Sequence, residues 1–113
     1  MKQEIKKRWV AALRSGEYRQ GKIQLKKENK FCCLGVLCDI VKDELNLSWV
    51  THPNMSPPTI AGEFLVLPCI VSKYVELADT SVQYQGERRF LEYLNDTENL
   101  PFDKLALLIE EQL

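Results

Sequence analysis

The sequence has little of what marks the specialised classes of protein. Five Gly, five Pro and one His among 113 residues exclude a collagen-like or proline-rich low-complexity chain. No apolar run approaches the roughly 18 residues of a membrane-spanning helix, because Pro68 interrupts the longest candidate, residues 64–71. The basic N-terminus has no apolar core behind it, so we expect no secretory signal, no membrane partner and a cytoplasmic location.

Cysteine is present, but not in the pattern of a metal site. A structural zinc site usually starts from two ligands separated by two to four Gly or polar residues, whereas an apolar helical stripe separates Cys33 from Cys38. A cytoplasmic location also keeps thiols reduced. We therefore predict that these two cysteines, together with Cys32 and Cys69, are free thiols packed as small hydrophobic groups. No metal and no cofactor are expected.

The formal net charge of −1 conceals an asymmetry along the chain. Residues 1–30 hold ten bases and three acids, whereas residues 31–113 hold five bases and thirteen acids. The overall balance argues against a protein dedicated to sequence-specific nucleic-acid binding. Two interpretations remain for the basic segment: it attracts a phosphate-bearing ligand or an acidic partner, or it lies against the acidic remainder within the fold or across a dimer.

The spacing of apolar residues predicts an α+β fold, a small single domain over residues 1–113 in which three to four helices pack on a short antiparallel sheet or hairpin. Apolar residues recur at helical spacing in four segments. The predicted helices cover residues 2–15 and 34–47, a third begins at Pro68, and a last one follows Asn99 with Pro101 in its first turn. Trp9 and Phe102 lie on apolar stripes, so we assign both to the core.

Period-two alternation predicts strands between these helices. Ile23 and Leu25 alternate with charged residues ahead of a polar stretch. The predicted strands are a two-stranded hairpin over residues 18–33 with Glu28-Asn29 near its turn, an edge strand ending near Leu67 and a short strand at residues 82–84. Residues 48–62 contain three prolines and are predicted to form an irregular loop.

The connection after the first predicted helix is the main candidate for a binding site. It contains the polar run Arg14, Ser15, Gly16, Tyr18, Arg19, Gln20 and Gly21. A guanidinium pairs with phosphate oxygens, a phenol ring stacks on a base, and a carboxamide reads a base edge or a ribose. The run has neither the P-loop nor the dinucleotide-binding glycine spacing. The structural alternative is a helix C-cap followed by an ordinary strand.

Two further patterns have both a structural and a chemical interpretation. Asn95 and Asp96 either make a turn or present acceptors to a ligand. Cys33 lies where a strand enters a helix, and a helix N-terminus favours the thiolate of a nucleophile. Its only imidazole partner is His52, which lies in the Pro-rich segment with no third group to orient it.

Several stretches resemble a family of small proteins encoded by bacteriophages and prophages. The resemblance covers residues 9–21, 31–39, 67–77, 91–96 and 102–110, and includes the sequence FCCLGVLCD. It implies the setting of an accessory factor that acts on the host, for example by countering a defence system, and it supplies no catalytic residue. His52 lies outside the matching stretches.

Together these observations predict a non-enzymatic counter-defence protein that sequesters a small phosphorylated, nucleotide-type signalling ligand in the host cytoplasm. The expected site comprises the 14–21 connection with Asn95 and Asp96. We expect a homo-oligomer, because a domain of this size offers only a shallow pocket that a symmetric interface can complete. The alternative functions are a protein that inhibits a host defence protein and, third, a cysteine-dependent hydrolase.

Overall fold

The computed structural model describes the backbone of residues 1–113 and every side chain except those of residues 55 and 56. The helices are α1 (Gln3–Arg14), α2 (Cys33–Val41), α3 (Cys69–Val75), α4 (Leu91–Asp96) and α5 (Phe102–Gln112). The strands are β1 (Arg19–Gln20), β2 (Lys26–Lys27), β3 (Lys30–Phe31), β4 (Val50–His52), β5 (Met55–Thr59), β6 (Ser81–Tyr84) and β7 (Glu87–Phe90). The described helices are all too short and polar to cross a bilayer.

Helix α1 forms as its apolar spacing predicts. Ile5, Trp9 and Leu13 are buried on one face, and Gly16 ends the segment at a φ of +78°, a conformation that glycine adopts without steric cost. The indole Nε1 of Trp9 donates to the carbonyl oxygen of Cys33 at 3.0 Å, which ties α1 to the start of α2. Trp9 and Phe102 are both buried, as predicted.

The start of α2 packs directly on the backbone of Leu25. The backbone N–H of Gly35 donates to the Sγ of Cys32 at 3.4 Å, and the N–H of Cys32 donates to the carbonyl oxygen of Leu25 at 3.2 Å. A Cβ on Gly35 would lie 1.7 Å from that same carbonyl oxygen. Only glycine therefore permits this approach between helix and loop.

The segment between α1 and α2 forms a three-stranded sheet in the order β1-β3-β2. Strand β1 pairs with β3 in parallel, with Arg19 opposite Lys30, and β2 pairs with β3 antiparallel, with Lys27 opposite Lys30. Because paired residues project to the same face, these three cations share one face of the sheet. Gln20, Lys26 and Phe31 share the other.

Two separate hairpins and the terminal helix complete the molecule. Strands β4 and β5 form one hairpin, β6 and β7 form another, and α5 packs along α1. The core contains the inner faces of α1, α2, α4 and α5, and its most buried large side chains include Trp9, Leu37, Leu91, Leu94 and Ile109. The radius of gyration is 13.2 Å, close to the value of about 13 Å expected for a domain of this length.

The α+β class is confirmed, but several predicted details were wrong. The segment 48–62 forms the β4–β5 hairpin instead of an irregular loop, and residues 64–67 are not a strand. Helix α2 ends at Val41 because residues 42–46 form turns. Ile23 and Leu25 do not share a strand face: Leu25 is fully buried, whereas Ile23 has a φ of 72° and a side chain 59% exposed.

Candidate anion-binding site

Gln20, predicted to bind ligand, uses its whole carboxamide inside the protein. Its Nε2 donates to Asn95 Oδ1 at 2.9 Å and to the carbonyl oxygen of Leu100 at 2.8 Å. Its Oε1 accepts from the backbone N–H of Phe102 at 3.1 Å. The side chain therefore fastens β1 to the turn that precedes α5, with both Nε2 hydrogens and the Oε1 bonded inside the protein.

Asn95 and Asp96 contact the segment that follows α1, as a binding site shared between them would require. Their polar groups are used in hydrogen bonds within the protein. Asn95 is fully buried and donates through Nδ2 to the carbonyl oxygen of Gly21 and to Asp96 Oδ1. Asp96 Oδ1 also accepts from the backbone N–H of Ile23 at 2.9 Å. These two residues hold the chain after β1 in place.

Four residues of the predicted site line one open cleft of about 300 Å³. Arg14, Gly16 and Tyr18 lie on its wall with Gln20 and Phe102. Ser15 is exposed beside it and donates through Oγ to the carbonyl oxygen of Ala12. The guanidinium of Arg14 forms an exposed ion pair with Glu110, which raises the pKa of Arg14 through that hydrogen bond. Tyr18 donates to Asp39 Oδ2 at 2.6 Å.

The exposed face of the three-stranded sheet carries three cations in one line. We call Arg19, Lys30 and Lys27 the cationic row, in their order across β1, β3 and β2. All three are exposed, and within the described residues none of them forms an ion pair. Like charges directly opposite one another destabilise a sheet, so an anion on this face would relieve their repulsion.

An open cleft of about 280 Å³ adjoins this row. We call it the lysine cleft, and its lining residues are Gly21, Lys22, Gln24, Lys27, Glu28 and Lys30. The ammonium group of Lys22 donates a hydrogen bond to Asn99 Oδ1. Three ammonium groups and one carboxylate therefore line a cleft that is open to solvent, a composition that favours small anions.

Two residues at this cleft have backbone conformations that are unusual for their type. Ile23, which stands between Lys22 and Gln24, has a φ of 72°, and Glu28 has a φ of 58°. A β-branched residue at positive φ is strained. The hydrogen bond from the Ile23 N–H to Asp96 holds this conformation. Ile23 thus connects two residues that line the cleft, Lys22 and Gln24.

The opposite face of the sheet is filled by aromatic rings. Tyr18 and Phe31 pack edge to face with ring centroids 5.0 Å apart, Phe31 contacts Trp49 at 6.0 Å, and Lys26 lies over Phe31 and Trp49. Asp39 accepts from Tyr18 and from the indole of Trp49. Its burial opposes ionisation, but these hydrogen bonds and Lys42 outweigh it and lower the pKa of Asp39.

The cysteines are not arranged for catalysis. Cys33 begins α2, as predicted, but it is fully buried, and burial raises the pKa of its thiol well above the usual value, as it raises the pKa of Cys32 to about 11. His52 contacts Thr59 Oγ1 at 3.0 Å on the β4–β5 hairpin, and the Cys33 Sγ faces the carbonyl oxygen of Leu91. Burial therefore raises the pKa of the Cys33 thiol by more than its position at the start of α2 lowers it.

The prediction that all four thiols are packed was correct for three and wrong for Cys69, which is exposed at the first residue of α3. The described residues contain no group of three or more His, Cys, Asp or Glu side chains that could hold a metal ion.

Sequence reasoning missed the lysines of the site and selected Arg19 alone from the row. The basic bias of residues 1–30 was the available signal. It could not separate Lys22, Lys27 and Lys30 from Lys26, whose ammonium group lies over aromatic rings on the other face. That separation depends on the strand register.

Comparison with known proteins identifies a family and no characterised relative. No curated protein and no solved structure matches the chain. The model of one family, described as a domain of unknown function (DUF8296), matches residues 1–113. Because this match extends over all 113 residues, the protein belongs to the DUF8296 family.

Proposed function

We propose that this protein is a non-enzymatic binding protein that sequesters a small phosphorylated, nucleotide-type ligand, with the phosphate on the cationic row and in the lysine cleft. The observation that carries the proposal is the line of three exposed cations, Arg19, Lys30 and Lys27, which form no ion pair with any described residue. The cleft beside them adds Lys22. The proposed site thus keeps Arg19 and Gly21 from the sequence prediction. Lysines replace the other predicted residues, which are Arg14, Ser15, Gly16, Tyr18, Gln20, Asn95 and Asp96.

The state of the other polar groups supports this position. The groups of Arg14, Tyr18 and Gln20 that would meet a ligand are bonded to Glu110, Asp39 and the segment around Asn95. A ligand there would have to break those contacts. Among the described side chains the cations of the row have no such partners, so binding costs less reorganisation at this face.

A binding role is favoured over catalysis by the burial of the cysteines. Nucleophilic catalysis needs an accessible thiolate with a base in hydrogen-bond reach, and Cys33 has neither solvent exposure nor a contact with His52. The cysteine-dependent hydrolase therefore receives no support from this geometry.

The biological setting rests on the resemblance to phage and prophage proteins. In that setting the proposed ligand is an immune signal of the host, and the protein withholds it from its receptor. The lysine cleft, at about 280 Å³ and open to solvent, is slightly smaller than the roughly 300–1,000 Å³ of typical ligand pockets. A second copy of the chain that covers the cleft would complete it, so a homo-oligomer remains part of the proposal.

Calorimetric titration with cyclic dinucleotides and adenosine-diphosphate-ribose derivatives tests the proposal. We expect at least one compound to bind, and to be recovered intact by mass spectrometry after heat denaturation of the complex. The double variant Lys27→Gln/Lys30→Gln should weaken that binding by at least about a hundredfold, because each charged hydrogen bond contributes roughly 1.5–3 kcal/mol. Lys104→Gln, an exposed lysine on α5, is the matched control and should bind normally.

Three results would contradict the proposal: no compound binds, the recovered compound is chemically altered, or the double variant binds as tightly as the control. In the first case the protein inhibitor becomes the leading function. A groove of about 240 Å³ between α1 and α5, lined by Lys6, Lys7, Val10, Ala11, Arg14 and Glu110, is the surface to test for it.

A further inference from the structure

We infer that the ligand presents at least two directly linked phosphate groups, as in a pyrophosphate, to the cationic row. The inference rests on the proposed function and adds the class of anion. It follows from the register of the sheet, from the charge on the row and from the position of Gly21.

The register sets the spacing of the charges. Arg19, Lys30 and Lys27 occupy paired positions on three neighbouring strands. Neighbouring strands lie about 4.8 Å apart, so the attachment points of the outer two side chains are about 10 Å apart. The row is therefore an evenly spaced line of cations without a neutral position. An anion of matching form is a chain of adjacent charged groups.

The number of cations in the row also indicates an anion with linked phosphate groups. A single phosphate ester carries a charge of about −1.5 to −2 at neutral pH, and drawing three cationic groups onto it would crowd like charges. Linked phosphates spread the negative charge along the row, so the three cations share two or more anionic groups instead of one. Two phosphates separated by a nucleoside would instead leave the central cation, Lys30, opposite a neutral group.

Gly21 keeps the side of the central cation open. A Cβ on Gly21 would lie 2.9 Å from the Cβ of Lys30, closer than such atoms approach one another. The Gly21 N–H is bonded to the Phe31 carbonyl oxygen at 2.7 Å, so the backbone cannot move away without losing that bond. The missing side chain thus leaves Lys30 free to extend along the wall of the cleft that it shares with Lys22.

Calorimetric titration with orthophosphate, pyrophosphate and tripolyphosphate, each at two salt concentrations, tests the inference. Pyrophosphate should bind at least about tenfold more tightly than orthophosphate, and its affinity should fall more steeply with salt because more cations are neutralised. Lys30→Gln should reduce the affinity for pyrophosphate about tenfold or more and have a smaller effect on orthophosphate. Lys104→Gln should change neither. Thermal melts of the variants confirm that they are folded.

The outcomes separate the inference from the proposed function. Equal affinity for orthophosphate and pyrophosphate, or unchanged pyrophosphate binding by Lys30→Gln, overturns the requirement for linked phosphates. The phosphate site itself would then still stand. If none of the three anions binds, both the inference and the proposed phosphate site are wrong.

Discussion

At the scale of single residues, Gly35 controls the contact between α2 and the loop before β2. A methyl group at this position would lie 1.7 Å from the carbonyl oxygen of Leu25. The oxygen belongs to the backbone and the methyl carbon is bonded to it, so neither atom can rotate away. Gly35→Ala should therefore reduce the free energy of unfolding by about 4 kcal/mol or more, a loss found only where such a clash cannot relax. Urea denaturation measures it.

Gly62→Ala is the matched control for Gly35→Ala. Gly62 has a φ of +81° with no atom within 4 Å of an added Cβ, so only the conformational cost of about 1 kcal/mol applies. Equal losses in the two variants would contradict the packing described for Gly35.

The thiols provide a second test at this scale. Cys32, Cys33 and Cys38 are buried, and burial raises the pKa of each, whereas Cys69 is exposed. An aromatic disulfide reagent should label one thiol of the native protein rapidly and all four after denaturation, because the thiolate is the reacting form. Cys69→Ser should abolish the rapid phase. Rapid labelling of Cys33 in that variant would restore the cysteine-hydrolase hypothesis.

At the scale of the elements, the side chain of Gln20 joins β1 to the α4–α5 turn. Gln20→Ala would leave Asn95 Oδ1, the carbonyl of Leu100 and the N–H of Phe102 each short of one partner. The expected loss is about 2–3 kcal/mol of unfolding free energy. Gln3→Ala removes an exposed carboxamide from α1 and should change stability by less than about 0.5 kcal/mol. If the two variants melt alike, Gln20 does not join these elements.

Asp39 makes the packing of α2 against the aromatic face dependent on pH. Its pKa is lowered in the folded protein, below the value of about 3.9 in an unfolded chain. Its stabilising contribution is therefore complete above that value and is lost as the pH falls through the folded pKa. The stability difference between wild type and Asp39→Asn should thus shrink below about pH 4. A difference that is constant from pH 7 to pH 3 would contradict this account.

Some of these elements could be predicted from the sequence, and the errors in the others have physical causes. Helix α1 and the turn at Glu28-Asn29 follow from local patterns, because helical spacing and turn residues act over a few positions. The β4–β5 hairpin was missed because prolines lie within its second strand. Ile23 was misplaced because a long-range hydrogen bond from its N–H to Asp96 stabilises a positive φ that its own side chain disfavours.

At the scale of the whole molecule, the proposed site depends on contacts between segments distant in sequence. The prediction that the 14–21 connection meets residues 95–96 is consistent with the hydrogen bonds that join Gln20 and Gly21 to Asn95. Which cations face solvent could not be predicted, because β1, β2 and β3 have two residues each and their faces depend on pairing. The basic first third of the chain therefore predicted where positive charge is concentrated in the sequence but not which cations share an exposed face.

The most direct test of the central claim is the nuclear magnetic resonance spectrum of the ¹⁵N-labelled protein during titration with pyrophosphate. A phosphate on the cationic row and in the lysine cleft should shift the amide resonances of residues 19–22 and 27–31. The amides of α3 and of the β6–β7 hairpin should stay unchanged. No shifts, or shifts confined to the groove of Lys6, Lys7 and Arg14 between α1 and α5, would contradict the proposed site.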